Sequence, residues 1–180
     1  MLEINIEKFE LFDEEKQEFV SGGPCKLQLE HSLISISKWE AKWQKPFLTN
    51  KDKTEEEIRD YIVDMTINKN VKSDAYLGLS QDNLNAINEY ISSPMTATWF
   101  NERKAQPPNR EVITSELIYY WMIAMNIPFE CQKWHLNRLL TLIKVCTIKN
   151  TPPKKMSRRE IAKRNNALNR ERRAMLHTKG

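Results

Sequence analysis

Glycine is scarce in this chain, with four residues in 180. No G-x-x-x-x-G-K-[ST] or G-x-G-x-x-G stretch is present, which excludes the two commonest glycine-built phosphate cradles. A glycine-rich oxyanion loop for acyl chemistry is missing for the same reason. Cysteine is also sparse and odd in number: Cys25, Cys131 and Cys146. Such a set argues against a disulfide framework and for free, buried thiols. No apolar run approaches the ~18–20 residues needed to span a bilayer. The opening Met1-Leu2-Glu3-Ile4-Asn5-Ile6 has no basic region followed by an apolar one, so it does not read as a signal peptide, and a cytoplasmic protein is expected.

What is present is ordinary for a globular chain: 40% apolar and 29% charged residues. The net charge of +4 hides a division. Residues 151–180 hold ten Lys/Arg against two Glu, leaving 18 basic and 22 acidic residues in 1–150. This asymmetry predicts a mildly acidic body and a separately acting basic tail.

Periodicity divides the body further. Leu2, Ile4 and Ile6 alternate with polar residues, as in a half-buried strand. Phe9 to Asp13, a polar turn at 14–17, and Glu18-Phe19-Val20 read as two more strands, followed by a loop at Ser21-Gly22-Gly23-Pro24 and a fourth strand from Lys26 to Glu30. Residues 1–32 are therefore expected to form a small antiparallel sheet in the same domain as a helical body, 33–150. In the body, Ile36, Trp39 and Trp43 share one helical face before Pro46. Thr54-Glu55-Glu56-Glu57 is a capping box, in which the threonine hydroxyl accepts the third backbone N–H and the glutamate reaches back. Ile58, Tyr61, Ile62 and Met65 follow at helical spacing. Ser80 caps a further helix bearing Leu84, Ile87 and Ile91, ended by Pro94. A polar connection at 101–112 contains Pro107-Pro108. Thr114 or Ser115 then caps a helix with Leu117, Ile118, Trp121, Met122 and Met125, and a last body helix runs from about Glu130 to Thr147 with Leu136, Leu139, Leu140 and Ile143. The last two are the most apolar pair, which predicts a helical hairpin at the centre of the core. The fold class expected is mainly α with a small N-terminal antiparallel β-sheet (α+β).

The tail, 151–180, follows Asn150-Thr151-Pro152-Pro153. Ser157-Arg158-Arg159-Glu160 is a second capping box, and Ile161, Leu168 and Met175 recur every seven residues beside Ala167 and Ala174. The tail therefore reads as helical or partly disordered; one large apolar residue per heptad is thin support for an isolated helix, so it is expected to fray alone and to order on a partner. The candidate partner-binding residues are Arg158, Arg159, Ile161, Lys163, Arg164, Leu168, Arg170, Arg172, Arg173 and Met175.

Few side chains suggest chemistry. Cys131 and His135, four apart, could face one side of a helix, and Cys25 and Cys146 would complete a three-Cys, one-His set acceptable to zinc. Their spacing matches no compact zinc module, and each reads equally as a core residue. A Cys131–His135 nucleophile pair lacks an oxyanion loop. Glu55-Glu56-Glu57 is better read as carboxylates at the positive end of a helix dipole than as acid–base machinery. Trp39, Trp43, Trp99, Trp121 and Trp134 read as core, with one or two at a partner surface. No catalytic residue, cofactor or metal is expected. The tail's arginines could track a phosphate backbone, but the tail lacks aromatics to stack bases and the body is acidic. Its apolar face is also too narrow for a membrane surface.

Three stretches taken together resemble a known family. The first is Leu29-Glu30-His31-Ser32-Leu33-Ile34-Ser35-Ile36-Ser37-Lys38-Trp39-Glu40-Ala41-Lys42-Trp43 followed by Lys45-Pro46-Phe47-Leu48. The second runs from Ser115-Glu116-Leu117-Ile118-Tyr119-Tyr120-Trp121-Met122-Ile123-Ala124 through Pro128-Phe129-Glu130 to Trp134-His135-Leu136-Asn137-Arg138-Leu139-Leu140. The third is Asn169-Arg170-Glu171-Arg172-Arg173, ending in Thr178-Lys179-Gly180. Most of the chain is covered, and it resembles the tail assembly chaperones of tailed bacteriophages. The resemblance implies a non-enzymatic protein of the infected bacterial cytoplasm. Such a protein binds the tape measure protein, keeps it soluble, helps recruit tail tube subunits, and is absent from the finished virion. In many such phages a ribosomal frameshift also makes a longer form, and the family offers no catalytic residues to carry over. The rival readings are a virion tail or connector component and a nucleic-acid-binding regulator acting through the tail. Self-association stays open.

Overall fold

The structure is a computed structural model that describes residues 1–13, 17–50, 52–100, 111–152 and 157–178. The turn expected at 14–17 falls mostly outside the described residues, as do most of the Pro107-Pro108 connection and the tail's first lysines, Lys154 and Lys155. The chain divides into two compact units, Met1–Thr147 and Ile148–Gly180.

The first unit is helical with a small antiparallel strand set at its N-terminus. Strands β1 (Leu2–Ile6) and β4 (Cys25–Leu29) pair with Ile4 opposite Leu27. Strands β2 (Phe9–Asp13) and β3 (Glu18–Gly22) form a second pair nested inside the first, with Leu11 opposite Val20. The loop expected at Ser21–Pro24 is shorter than the glycines suggested: Ser21 and Gly22 still pair, with Glu10 and Phe9. Pairing stops only at Gly23-Pro24, because Pro24 has no N–H to donate. The β1–β4 pair buries Ile4, Ile6, Leu27 and Leu29 in the core. Along the other edge of β4, the Ile67 N–H donates to the Gln28 carbonyl at 2.8 Å. Asn68 acts there as a strand surrogate, accepting from the Gln28 N–H (3.0 Å) and donating to the Lys26 carbonyl (2.8 Å).

Gly22 and Gly78 serve here by their size. The Phe9 ring lies against both, and a Cβ at either position would overlap it; at Gly78 the added carbon would also stand 2.9 Å from the Ile6 Cγ2. Gly78→Ala should therefore destabilise the first unit by about 1–3 kcal/mol, the usual range for an added methyl in a packed site. Thermal unfolding of the purified variant measures this, and an unchanged midpoint would refute it.

Five helices follow the strands in this unit: α1 (Leu33–Trp43), α2 (Glu55–Met65), α3 (Gln81–Ser92), α4 (Ser115–Ala124) and α5 (Leu136–Asn150), the last running into the second unit. Short 3-10 turns occupy Ser73–Gly78 and Phe129–Lys133. The expected caps are present. The Thr54 hydroxyl accepts from the Glu57 N–H while the Glu57 carboxylate accepts from the Thr54 N–H, and Ser80 and Thr114 cap α3 and α4. Ser32 and Ser35 form a further box at the start of α1.

Two details differ from the periodicity. The last body helix begins at Leu136, not near Glu130. A bridge between Ser32 and His135, with the Leu136 N–H donating to the His31 carbonyl at 2.7 Å, holds the backbone extended just before it. The α4 and α5 helices do supply Ile118, Met122, Leu136, Leu139 and Ile143 to the core. The helix with the closest backbone neighbours, however, is α1, which packs on α2, α4 and the Phe129–Lys133 turn. Its Leu33, Ile36 and Trp39 are wholly enclosed. Among the described residues no helix is long and apolar enough to cross a membrane.

Candidate functional site

The second unit is dominated by helix α6 (Arg158–Leu176), which carries every candidate partner-binding residue. The Ser157 box closes its N-terminus: the Ser157 N–H donates to the Glu160 carboxylate (2.8 Å) and the Glu160 N–H to the Ser157 hydroxyl (3.2 Å). His177, in the left-handed conformation at φ 50°, ends it. The helix runs unbroken from Arg158 to Leu176, with local caps at both ends.

None of its residues is buried. At about 100° per residue, Ile161, Leu168 and Met175 stay within ~40° of one another and form a single line. Arg158, Arg164 and Arg172 flank that line, while Arg159, Lys163 and Arg170 lie opposite. The result is a helix of about 28 Å with cations around it, Glu160 and Glu171 on the flank of Arg164, and one narrow exposed apolar line.

The first unit also carries an open apolar site. A cavity of about 460 Å³ lies between α2 and α3, walled by Ile58, Ile62, Leu84 and Ile91, with Phe47 and Lys53 at one end. It adjoins a second cavity of about 260 Å³ that shares Ile58, Ile62 and Leu84 and reaches Arg59. The Lys53 ammonium donates to the carbonyls of Phe47 (2.8 Å) and Asn50 (2.5 Å) and stands 4.3 Å from the centre of the Phe47 ring. Burial draws this lysine below its ordinary pKa range.

The structure places Cys131 and His135, weighed above for metal or nucleophilic chemistry, on different elements. Cys131 is enclosed in the Phe129–Lys133 turn and His135 stands between that turn and α5, so they share no helix face. Among the described residues, no cluster of three or more His, Cys, Asp or Glu could hold a metal ion. Both His135 nitrogens are engaged: Nε2 donates to the Tyr90 carbonyl (3.0 Å) and Nδ1 accepts from the Asn137 N–H (3.3 Å). That pattern leaves no ring lone pair for a metal. Of the tryptophans, Trp39 is core and donates to the Glu57 carbonyl at 2.8 Å, Trp43, Trp121 and Trp134 are half-buried, and Trp99 is 78% exposed.

Periodicity gave no warning of a buried polar set beside the core. The rings of His31 and His135 meet edge to face with centroids 5.1 Å apart, and His31 Nδ1 lies 2.5 Å from the Tyr61 hydroxyl. Burial, helped by the neighbouring His135, depresses the His31 pKa to about 3. The Tyr61 hydroxyl is pushed up by burial, and the Lys45 ammonium holds the enclosed Glu57 carboxylate below its usual range. Glu40 is also buried and accepts from the backbone N–H groups of Phe47 and Ser115. All these groups are satisfied within the fold, which marks them as structural supports.

Comparison with known protein families, curated proteins and solved structures found no match.

Proposed function

We propose that this chain is a non-enzymatic assembly factor that binds protein clients through α6, of the kind represented by the tail assembly chaperones of tailed bacteriophages. The observation that carries the reading is that α6 runs for 19 residues with none of them buried. A helix that buries nothing gains no tertiary stabilisation, so its apolar line is available to a partner. Arg158, Arg164 and Arg172 beside that line, within a helix of seven cations, favour a client helix with acidic sides and raise the rate of encounter. One apolar contact per heptad suits a contact that must later be released. On this reading the client is the tape measure protein, with tail tube subunits recruited afterwards, in the cytoplasm of the infected bacterium and not in the finished particle.

Co-expression with the tape measure protein is the test. The chain should co-purify with it and keep it in the soluble fraction, and a chain lacking residues 157–178 should do neither. Ile161→Ser with Leu168→Ser should weaken the complex while changing stability by no more than about 0.5 kcal/mol, since neither residue supports the core. A full-length chain that leaves the tape measure protein unbound and insoluble would overturn the reading, and stoichiometric amounts in purified particles would favour a virion component. The cations on every side of α6 favour one other reading, nucleic-acid binding. That reading predicts affinity falling steeply with salt and lost with α6.

A further inference from the structure

The groove between α2 and α3 carries a second inference, separate from α6. Its walls are apolar and accessible: Ile58 is 43% exposed, and Leu84 and Ile91 are half-buried. The one charged side chain lining it is Lys53, which is half-buried. An ammonium has three N–H donors. Two are taken by the Phe47 and Asn50 carbonyls, and among the described residues no carboxylate forms an ion pair with it. Glu57, whose charge acts on Lys53, is already held by Lys45 (2.5 Å) and by the Thr54 N–H (2.9 Å). The groove therefore offers an apolar trough ending in a cation with a donor to spare, and Arg59 adds a second cation further along.

We infer that the α2–α3 groove receives an amphipathic helix of a partner protein, seating that helix's apolar stripe on Ile58, Ile62, Leu84 and Ile91 and pairing a flanking carboxylate with Lys53. An apolar stripe at i, i+4 and i+7 is the form that lies in such a trough, and an acid beside it answers the unpaired ammonium. The α6 helix of a second copy suits these charges less well: Arg158, Arg164 and Arg172 outnumber Glu171 beside its apolar line and would meet Lys53 and Arg59 with like charge. The inference rests on the client-binding reading only in taking the partner to be a protein.

Two designed helical peptides serve as probes, identical in a leucine stripe but carrying either glutamate or lysine beside it, each with a fluorescent label. Anisotropy titration of the full-length chain should show saturable binding of the glutamate peptide, at least about tenfold tighter than the lysine peptide. Lys53→Glu should reverse that preference, and the gain for the lysine peptide shows that the variant is folded. Ile58→Arg should weaken both peptides. A chain lacking residues 157–178 should bind the glutamate peptide as well as the full chain does, which separates this groove from the α6 reading. Equal affinity for the two peptides, no response to Lys53→Glu, loss of binding on removal of α6, or a concentration-dependent dimer abolished by Ile58→Arg would each overturn the inference.

Discussion

Glu40→Ala should lower the unfolding free energy by about 3–5 kcal/mol, because it removes one charged acceptor from two buried donors at once. Glu40 leaves α1 with its carboxylate enclosed. One oxygen accepts from the Phe47 N–H at 2.8 Å and the other from the Ser115 N–H at 2.7 Å. Ser115 is the first residue of α4, where backbone N–H groups have no partner within the helix and the dipole favours an anion. One side chain thereby holds the segment after α1 and the start of α4 against the central helix. Alanine would leave both donors dry. Glu40→Gln keeps one acceptor but turns an NH2 towards the remaining N–H, so it should cost about 2–3 kcal/mol. Urea unfolding followed by tryptophan fluorescence tests both variants. A loss below about 1 kcal/mol for Glu40→Ala, with the slope of the transition unchanged, would show that the carboxylate is not holding the elements together.

Mild acid should destabilise this protein through its buried histidines. An unfolded histidine takes up a proton near pH 6.5, whereas folded His31 resists it until about pH 3. Between those values the unfolded chain binds more protons than the folded one, so stability rises with pH across that window. The contribution of His31 is complete above about pH 6.5, shrinks by about 1.4 kcal/mol for each unit of acidification, and levels off below about pH 3. Roughly 2 kcal/mol should be lost between pH 6.5 and pH 5 from this residue alone. His135 is shifted in the same direction by its own burial, so it adds to the loss. Of the buried carboxylates, Glu57 has a lowered pKa and contributes only at lower pH. The urea midpoint measured from pH 7.5 to pH 5 should fall steeply, and His31→Gln should flatten much of that slope while starting from lower stability. A midpoint constant across the window would show that His31 is protonated inside the fold.

The legible parts of the chain were local. Thr54-Glu55-Glu56-Glu57 and Ser157-Arg158-Arg159-Glu160 announced the starts of α2 and α6 because a capping box is closed by residues three apart. Alternation at Leu2, Ile4 and Ile6 announced β1 because one face of that strand is wet. The Ser32–Ser35 box went unread because a serine stands where glutamate is usual. The early start expected for α5 failed because a contact from His31 and Ser32, distant in sequence, holds residues 134–135 extended. Lys53 was not legible at all. Its significance depends on where the Phe47 and Asn50 carbonyls point and on Glu57 being taken by Lys45.

By itself, then, the sequence determined the strands, the starts of α2, α3, α4 and α6, the acidic body and the basic tail, since hydrogen-bond partners within one turn and apolar period are set by neighbours in the chain. Only the tertiary structure decided that α1 is the central helix, that His31 meets His135, that Glu40 joins three segments, and that α2 and α3 stand apart over an apolar groove. A period reveals which face of an element is apolar but not what lies across from it, and a polar residue reads as surface until the fold supplies the donors that let it be buried.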